Sequence, residues 1–135
     1  IRAGIAGPAL LFLSGIGLLL AAAFPLSEDA AGVTIRPARH IVAGSTFFLS
    51  SALGLIVVSR RLARDTRWRN ISTYTLVAGI VALAGFAVGG ALVVPDVAPL
   101  HDWAGLYQRL IILAIVFPCR IVLSLRLLQV ATGRR

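Results

Sequence analysis

The sequence predicts an all-α integral membrane protein, a bundle of four transmembrane helices, and composition, segment length and charge placement all lead there. Hydrophobic residues make up 59% of the 135 residues and charged residues 13%, against roughly 45–50% and about 25% in soluble domains. Four largely uncharged stretches are each about 20 residues or longer, enough to cross a hydrocarbon layer about 30 Å thick. A soluble core of this size cannot bury four such stretches, so the solvent is lipid. Most of the charges lie between and beyond these stretches, where headgroups and water are.

The first span is expected from about Gly4 to Phe24, ended by Phe24-Pro25 and the polar Ser27-Glu28-Asp29. It is too long for the core of a signal peptide and further spans follow, so it reads as a permanent helix. Gly7, Ser14, Gly15 and Gly17 thin one side of it, which lets a neighbouring backbone come close. The second span is expected over about 40–59, opened by His40 after Pro37 and interspersed with Gly44, Ser45, Ser51 and Gly54. It ends in a basic loop containing Arg60, Arg61, Arg64, Arg67 and Arg69, with Trp68 suited to the headgroup layer. The third span, about 71–94, carries Gly79, Gly85, Gly89 and Gly90 and stops at Pro95-Asp96. The sequon Asn70-Ile71-Ser72 is expected to be inert on the cytoplasmic face. The fourth, about 103–128, is interrupted by Arg109 and Arg120, and Pro118 is expected to kink it. The chain contains no methionine, so it is expected to begin inside a longer protein, and it reads as a single transmembrane domain.

The net charge of +8 comes from 13 arginines, with no lysine. Nine of them fall on the side of the 60–69 loop and two, Arg36 and Arg39, on the other. The positive-inside rule therefore predicts both chain ends in the cytoplasm. Topology accounts for this basic excess, so nucleic acid is not expected as a partner; membrane lipids are, and other membrane-protein subunits are a second candidate. Arginine-only basic usage fits a bacterial source, and the expected location is the bacterial cytoplasmic membrane.

The two outer connections resemble each other. His40-Ile41-Val42-Ala43-Gly44 opens the second helix and His101-Asp102-Trp103-Ala104-Gly105 opens the fourth, each after a helix ended by a proline. The bundle therefore reads as a candidate pair of repeated hairpins.

The candidate chemistry is sparse. An arginine inside a membrane costs a few kcal/mol or more unless paired or solvated. Arg109 and Arg120 lie eleven residues apart, which on a regular helix puts them on one side about 16 Å apart along the axis. Arg120 is expected to snorkel toward the inner surface. Arg109 is expected to pair with an outer acid, the alternatives being a substrate or headgroup site and outward snorkelling. The candidate outer polar cluster is Glu28, Asp29, His40, His101, Asp102 and Arg109. Two histidines without a third ligand predict interfacial hydrogen bonding rather than a metal or haem, and no cofactor is expected. Cys119 sits alone in an apolar run as a small core residue. No nucleophile-base arrangement and no phosphate loop is present in sequence, and no carboxylate pair lies within a span, so no catalysis is expected.

The glycine-rich helix ending in Phe24-Pro25 with acids after it, His40 opening the next helix, and Gly105 with Gln108-Arg109-Leu110 opening the last resemble the bacterial membrane proteins of domain-of-unknown-function family 998. The resemblance implies six-helix proteins of which this chain is the last four helices. It also implies that Arg109, His40 and the Ser27–Asp29 loop form one outer cluster, although Gln108 stands where the family pattern has an acid before the arginine. The expected function is a non-catalytic accessory subunit or lipid-associated bundle. The alternative is a small-anion or lipid transporter or channel using Arg109 and Arg120, and a haem-bearing redox protein is a further, weaker one.

Overall fold

A computed structural model describes residues 4–32 and 34–133. Arg2, Arg134 and Arg135, counted with the basic loop in sequence, lie outside the described residues. Four helices are long and apolar enough to cross a membrane: Ala6–Ala23, Ala38–Leu62, Arg69–Leu92 and His101–Ala131. The chain is thus a multi-pass helical membrane protein.

Helix α1 (Ala6–Ala23) stops because Pro25 disfavours helical geometry at Phe24, which turns to φ −115° and ψ 73°. The connection then forms a short antiparallel ribbon, β1 (Ser27–Glu28) on β2 (Thr34–Ile35), with Ser27 opposite Ile35 and Glu28 opposite Thr34. The sequence reading placed no strand there. Asp29 helps turn the ribbon by accepting the Ala31 N–H on Oδ1 at 2.9 Å. Pro37, extended at φ −60° and ψ 144°, precedes α2 (Ala38–Leu62). This helix runs past Ser59 through Arg60 and Arg61, because arginine ends the apolar run without ending the helix, and cations suit a helix C-terminus.

Helix α3 (Arg69–Leu92) follows a tight loop. Within that loop Arg67 holds Asp65 through Nε to Oδ1 at 3.2 Å and an N–H to Oδ2 at 2.9 Å. The Arg67 side chain, and then its backbone N–H, keep the Asp65 carboxyl below its usual value. Arg61 donates to the Gly4 carbonyl at the start of α1, and Arg126 to the Arg67 carbonyl. The start of α1, the last turns of the fourth span and the basic loop therefore share one end of the bundle, the arginine end. The 24–37 and 93–103 connections form the other, the hairpin end.

The first three helices pack in sequence, with backbone against backbone at small residues. A Cβ on Gly17 would lie 2.7 Å from the Phe47 nitrogen and 3.0 Å from the Ala43 oxygen. One on Gly79 would lie 3.0 Å from the Ala52 oxygen and from the Ile56 nitrogen. Small residues allow this approach, and dispersion then holds the pairs together in a solvent as apolar as the side chains. Hydroxyls on these helices donate back to their own carbonyls, among them Thr46 to Val42, Ser59 to Ile56 and Thr75 to Ile71. No polar hydrogen from these groups is left facing lipid.

The fourth span is built in pieces: a 3-10 turn at His101–Trp103, α4 (Ala104–Ile111), a π-helical turn at Ile112–Val116 and α5 (Phe117–Ala131). Pro118 has no N–H to donate and its ring crowds the carbonyl four residues back. The wide turn, with Phe117 N–H bonded to the Ile112 carbonyl, accommodates it. One residue absorbed in that turn rotates Arg120 away from Arg109 by about 80° instead of the about 20° of a regular helix. The two arginines accordingly do not share a face: Arg109 is exposed, whereas Arg120 is half-buried in the bundle.

Candidate functional site

Two polar features interrupt the apolar interior: a cavity in the hairpin half of the bundle and, below it, the Arg120 guanidinium. The cavity arises from the way α4 meets α3. Gly85 and Gly89, one turn apart, form a notch: a Cβ at Gly85 would lie 2.7 Å from Ile111 Cδ1, and one at Gly89 would lie 2.9 Å from Tyr107 Cε1. Tyr107 fixes the fit by donating its hydroxyl to the Gly85 carbonyl at 2.7 Å. On the facing side, α1 and α2 present Ala21, Gly44 and Ser45, which are too small to reach across. The space left is about 420 Å³, within the roughly 300–1,000 Å³ of small-molecule sites.

Its walls are almost entirely apolar, with Leu18, Phe48, Phe86, Val93 and Ile112 among them. Phe47, buried in the core with Ala52, Ala82 and Val116, closes the inner end. Phe48 stacks on Phe86 at 5.8 Å between centroids. The polar lining consists of Arg36, His40, Ser45, Tyr107 and Gln108, so that among the described residues one full charge and no carboxylate faces the space.

The histidines repeat one arrangement. His40 Nδ1 lies 2.6 Å from the carbonyl of Phe24, the residue before Pro25. His101 Nδ1 lies 3.2 Å from the carbonyl of Val94, the residue before Pro95. A carbonyl only accepts, so each Nδ1 carries a proton, and Nε2 is the ring atom turned to other surroundings. The His101 Nε2 lies 3.7 Å from Asp96, whereas His40 lines the cavity. The two hairpins are tied together by Arg36, which donates to the Val94 carbonyl at 2.5 Å. Arg39 lies over the Phe24 ring at 5.1 Å.

The single outer cluster expected from sequence is therefore not assembled. Glu28 and Asp29 are exposed on the ribbon and Asp102 on the 3-10 turn. Arg109 is exposed and takes part in no ion pair among the described residues, because the acids face outward from the connections instead of folding over α4. His101 does not line the cavity, so the histidines share no common space there. Of the expected cluster only His40 lines it; Arg36, Tyr107 and Gln108, not singled out as cavity residues in sequence, join it.

Arg120 does not snorkel. Its guanidinium reaches across the bundle to Ser14 of α1, with which it makes a short hydrogen bond, to Ser51 of α2 at 3.3 Å and to the Leu11 carbonyl at 3.4 Å. Ser14 in turn donates to Leu11 at 2.6 Å. Hydroxyl and carbonyl oxygens thus replace the water that the arginine would otherwise seek, and among the described residues no carboxylate accompanies it. Cys119, beside it, is buried against Thr75. In the basic loop, Arg60, Arg64 and Arg69 are exposed at the arginine end.

Four spans, glycine-notched crossings and a largely apolar cavity among the spanning helices define a class: a multi-pass helical bundle with an internal apolar site. The family follows from comparison. The model for the protein of unknown function family DUF998 matches residues 1–124, and the chain belongs to that family. No curated protein and no solved structure matches it.

Proposed function

We propose that the protein is a non-catalytic lipid-associated bundle of the bacterial cytoplasmic membrane, with both ends cytoplasmic, that takes part of a lipid molecule into the hairpin-half cavity. The observation that carries this reading is the cavity itself: about 420 Å³ of apolar-walled space among helices long and apolar enough to cross a membrane. Water gains little there, because a space so poor in polar partners does not satisfy its hydrogen bonds. The polar groups on the wall are engaged largely with backbone carbonyls, which suits holding a molecule rather than transforming it. An accessory role beside other membrane subunits is compatible with this binding role.

Gly44 and Gly90 line the cavity, and a Cβ at either meets nothing within 4 Å. Gly44→Leu is therefore expected to fill the space without moving a helix. Lipid extracted from detergent-purified protein should fall from about one tightly held molecule per chain toward none, with the thermal midpoint kept. Unchanged lipid content in a folded Gly44→Leu protein would remove the basis for the reading.

The orientation rests on the asymmetry of nine arginines against two. Cys119 is buried, so added cysteines can be labelled against little background. Val97→Cys, at a position 96% exposed on the hairpin end, should react with a membrane-impermeant thiol reagent in intact cells. Arg64→Cys should react only after permeabilisation. The reverse pattern would invert the topology.

A further inference from the structure

We infer that the cavity selects an anionic lipid, drawn from the surrounding leaflet, whose charged head is received by Arg36 while one hydrocarbon chain fills the apolar space. The inference rests on the lipid-binding reading above and adds the sign of the headgroup. Arg36 is the one full charge on the lining, and no carboxylate faces the space to neutralise it. The acids of the same end, Glu28, Asp29, Asp96 and Asp102, are exposed on the connections and none lines the cavity.

The Arg36 guanidinium is already oriented, since one N–H is spent on the Val94 carbonyl. A guanidinium carries five N–H donors, and the remaining ones match the paired oxygens of a phosphate or carboxylate head. His40 adds an acceptor: its Nδ1 proton is committed to Phe24, so Nε2 can accept a hydrogen bond from a hydroxyl of the same head. Gln108 supplies an amide donor from the fourth span. These groups belong to the connection and to helix ends at the hairpin end, whereas Phe47, Leu18 and Ile112 line the space deeper in the bundle. The lining is thus amphiphilic along its length, in the same sense as a lipid entering head outward.

The test is native mass spectrometry of the purified full chain, titrated with phosphatidylglycerol and phosphatidylcholine of identical acyl chains and, separately, with inorganic phosphate. The expected result is one phosphatidylglycerol retained about ten-fold more tightly than phosphatidylcholine, a 1.4 kcal/mol preference, and no retention of inorganic phosphate. Arg36→Gln should bring the two lipids level, and Arg39→Gln should not. Should Arg36→Gln fail to fold, Gln108→Glu, at an exposed position, places a carboxylate on the lining and should also abolish the preference. Gly90→Leu should release both lipids.

Other outcomes overturn the inference in distinguishable ways. Equal binding of the two lipids, both lost in Gly90→Leu, would overturn the headgroup assignment and leave the lipid cavity standing. A phosphatidylglycerol preference that survives both Arg36→Gln and Gln108→Glu, but falls when Arg60 and Arg64 are changed to Gln, would move the selectivity to the basic loop. Lipid retention untouched by Gly90→Leu would overturn the cavity reading itself. Binding of inorganic phosphate through Arg36 without lipid would make this an ion site.

Discussion

Gly17→Leu is expected to prevent the bundle from assembling, and Gly17→Ala to destabilise it by about 1–3 kcal/mol, the usual cost of overpacking. All three atoms nearest the added Cβ belong to the backbone of α2: the Phe47 nitrogen at 2.7 Å, the Ala43 oxygen at 3.0 Å and the Phe47 Cα at 3.1 Å. A side chain in the way can rotate; a helix backbone must translate. Moving α1 off α2 would also separate Phe47 from Leu18 and draw Ser14 away from Arg120. Gly15 is the matched control. It is two residues away on the same helix and its Cβ would meet nothing within 4 Å. Gly15→Ala should therefore be neutral or slightly stabilising, since alanine is the better helix former by roughly 0.5–1 kcal/mol. Denaturant titration in detergent, followed by circular dichroism, measures both. Equal midpoints for Gly17→Ala and Gly15→Ala would mean that α1 and α2 do not approach as described.

The four spans were legible in the sequence because bilayer thickness fixes how long an uncharged run must be. The second helix outran its expected end, continuing through Arg60 and Arg61 to Leu62, since charge marks where the hydrocarbon stops and not where hydrogen bonding stops. The likeness of His40 and His101 was visible as three shared residues in five, and it corresponds to a shared contact with the carbonyl before a proline. What could not be read was azimuth. Helix α1 is apolar around most of its circumference, so periodicity does not say which side meets α2. The same limit hid the partners of Arg120. Pro118 was visible, but whether a proline kinks a helix or widens a turn depends on how neighbouring helices crowd it. The wide turn at Ile112–Val116 then undid the shared face of Arg109 and Arg120 that regular spacing implied. Arg36 escaped notice as a cavity residue because its partner, Val94, is 58 residues away and sits on the other hairpin.

The double substitution Ser14→Ala with Ser51→Ala is expected to destabilise the bundle by about 3–6 kcal/mol, two hydrogen bonds to a charged group at about 1.5–3 kcal/mol each. Arg120 would keep its charge but lose both hydroxyl partners, leaving the Leu11 carbonyl at 3.4 Å as its remaining contact. Its Nε is already buried without a hydrogen-bond partner. Arg120→Met alone should behave very differently. It removes the charge, and each hydroxyl can satisfy itself within its own helix as Ser14 already does through Leu11. Replacing a buried polar group together with its demand is often near neutral, whereas stranding it costs its full desolvation. Combining all three changes should therefore recover most of the stability lost in the serine double variant, giving a large coupling between Arg120 and the two hydroxyls. A snorkelling arginine predicts no such recovery, because its charge would be solvated at the surface whatever stands at 14 and 51. Additive losses in the triple variant would place the guanidinium there. Recovery would show that the fourth span holds its arginine against α1 and α2 with oxygens supplied by the bundle itself.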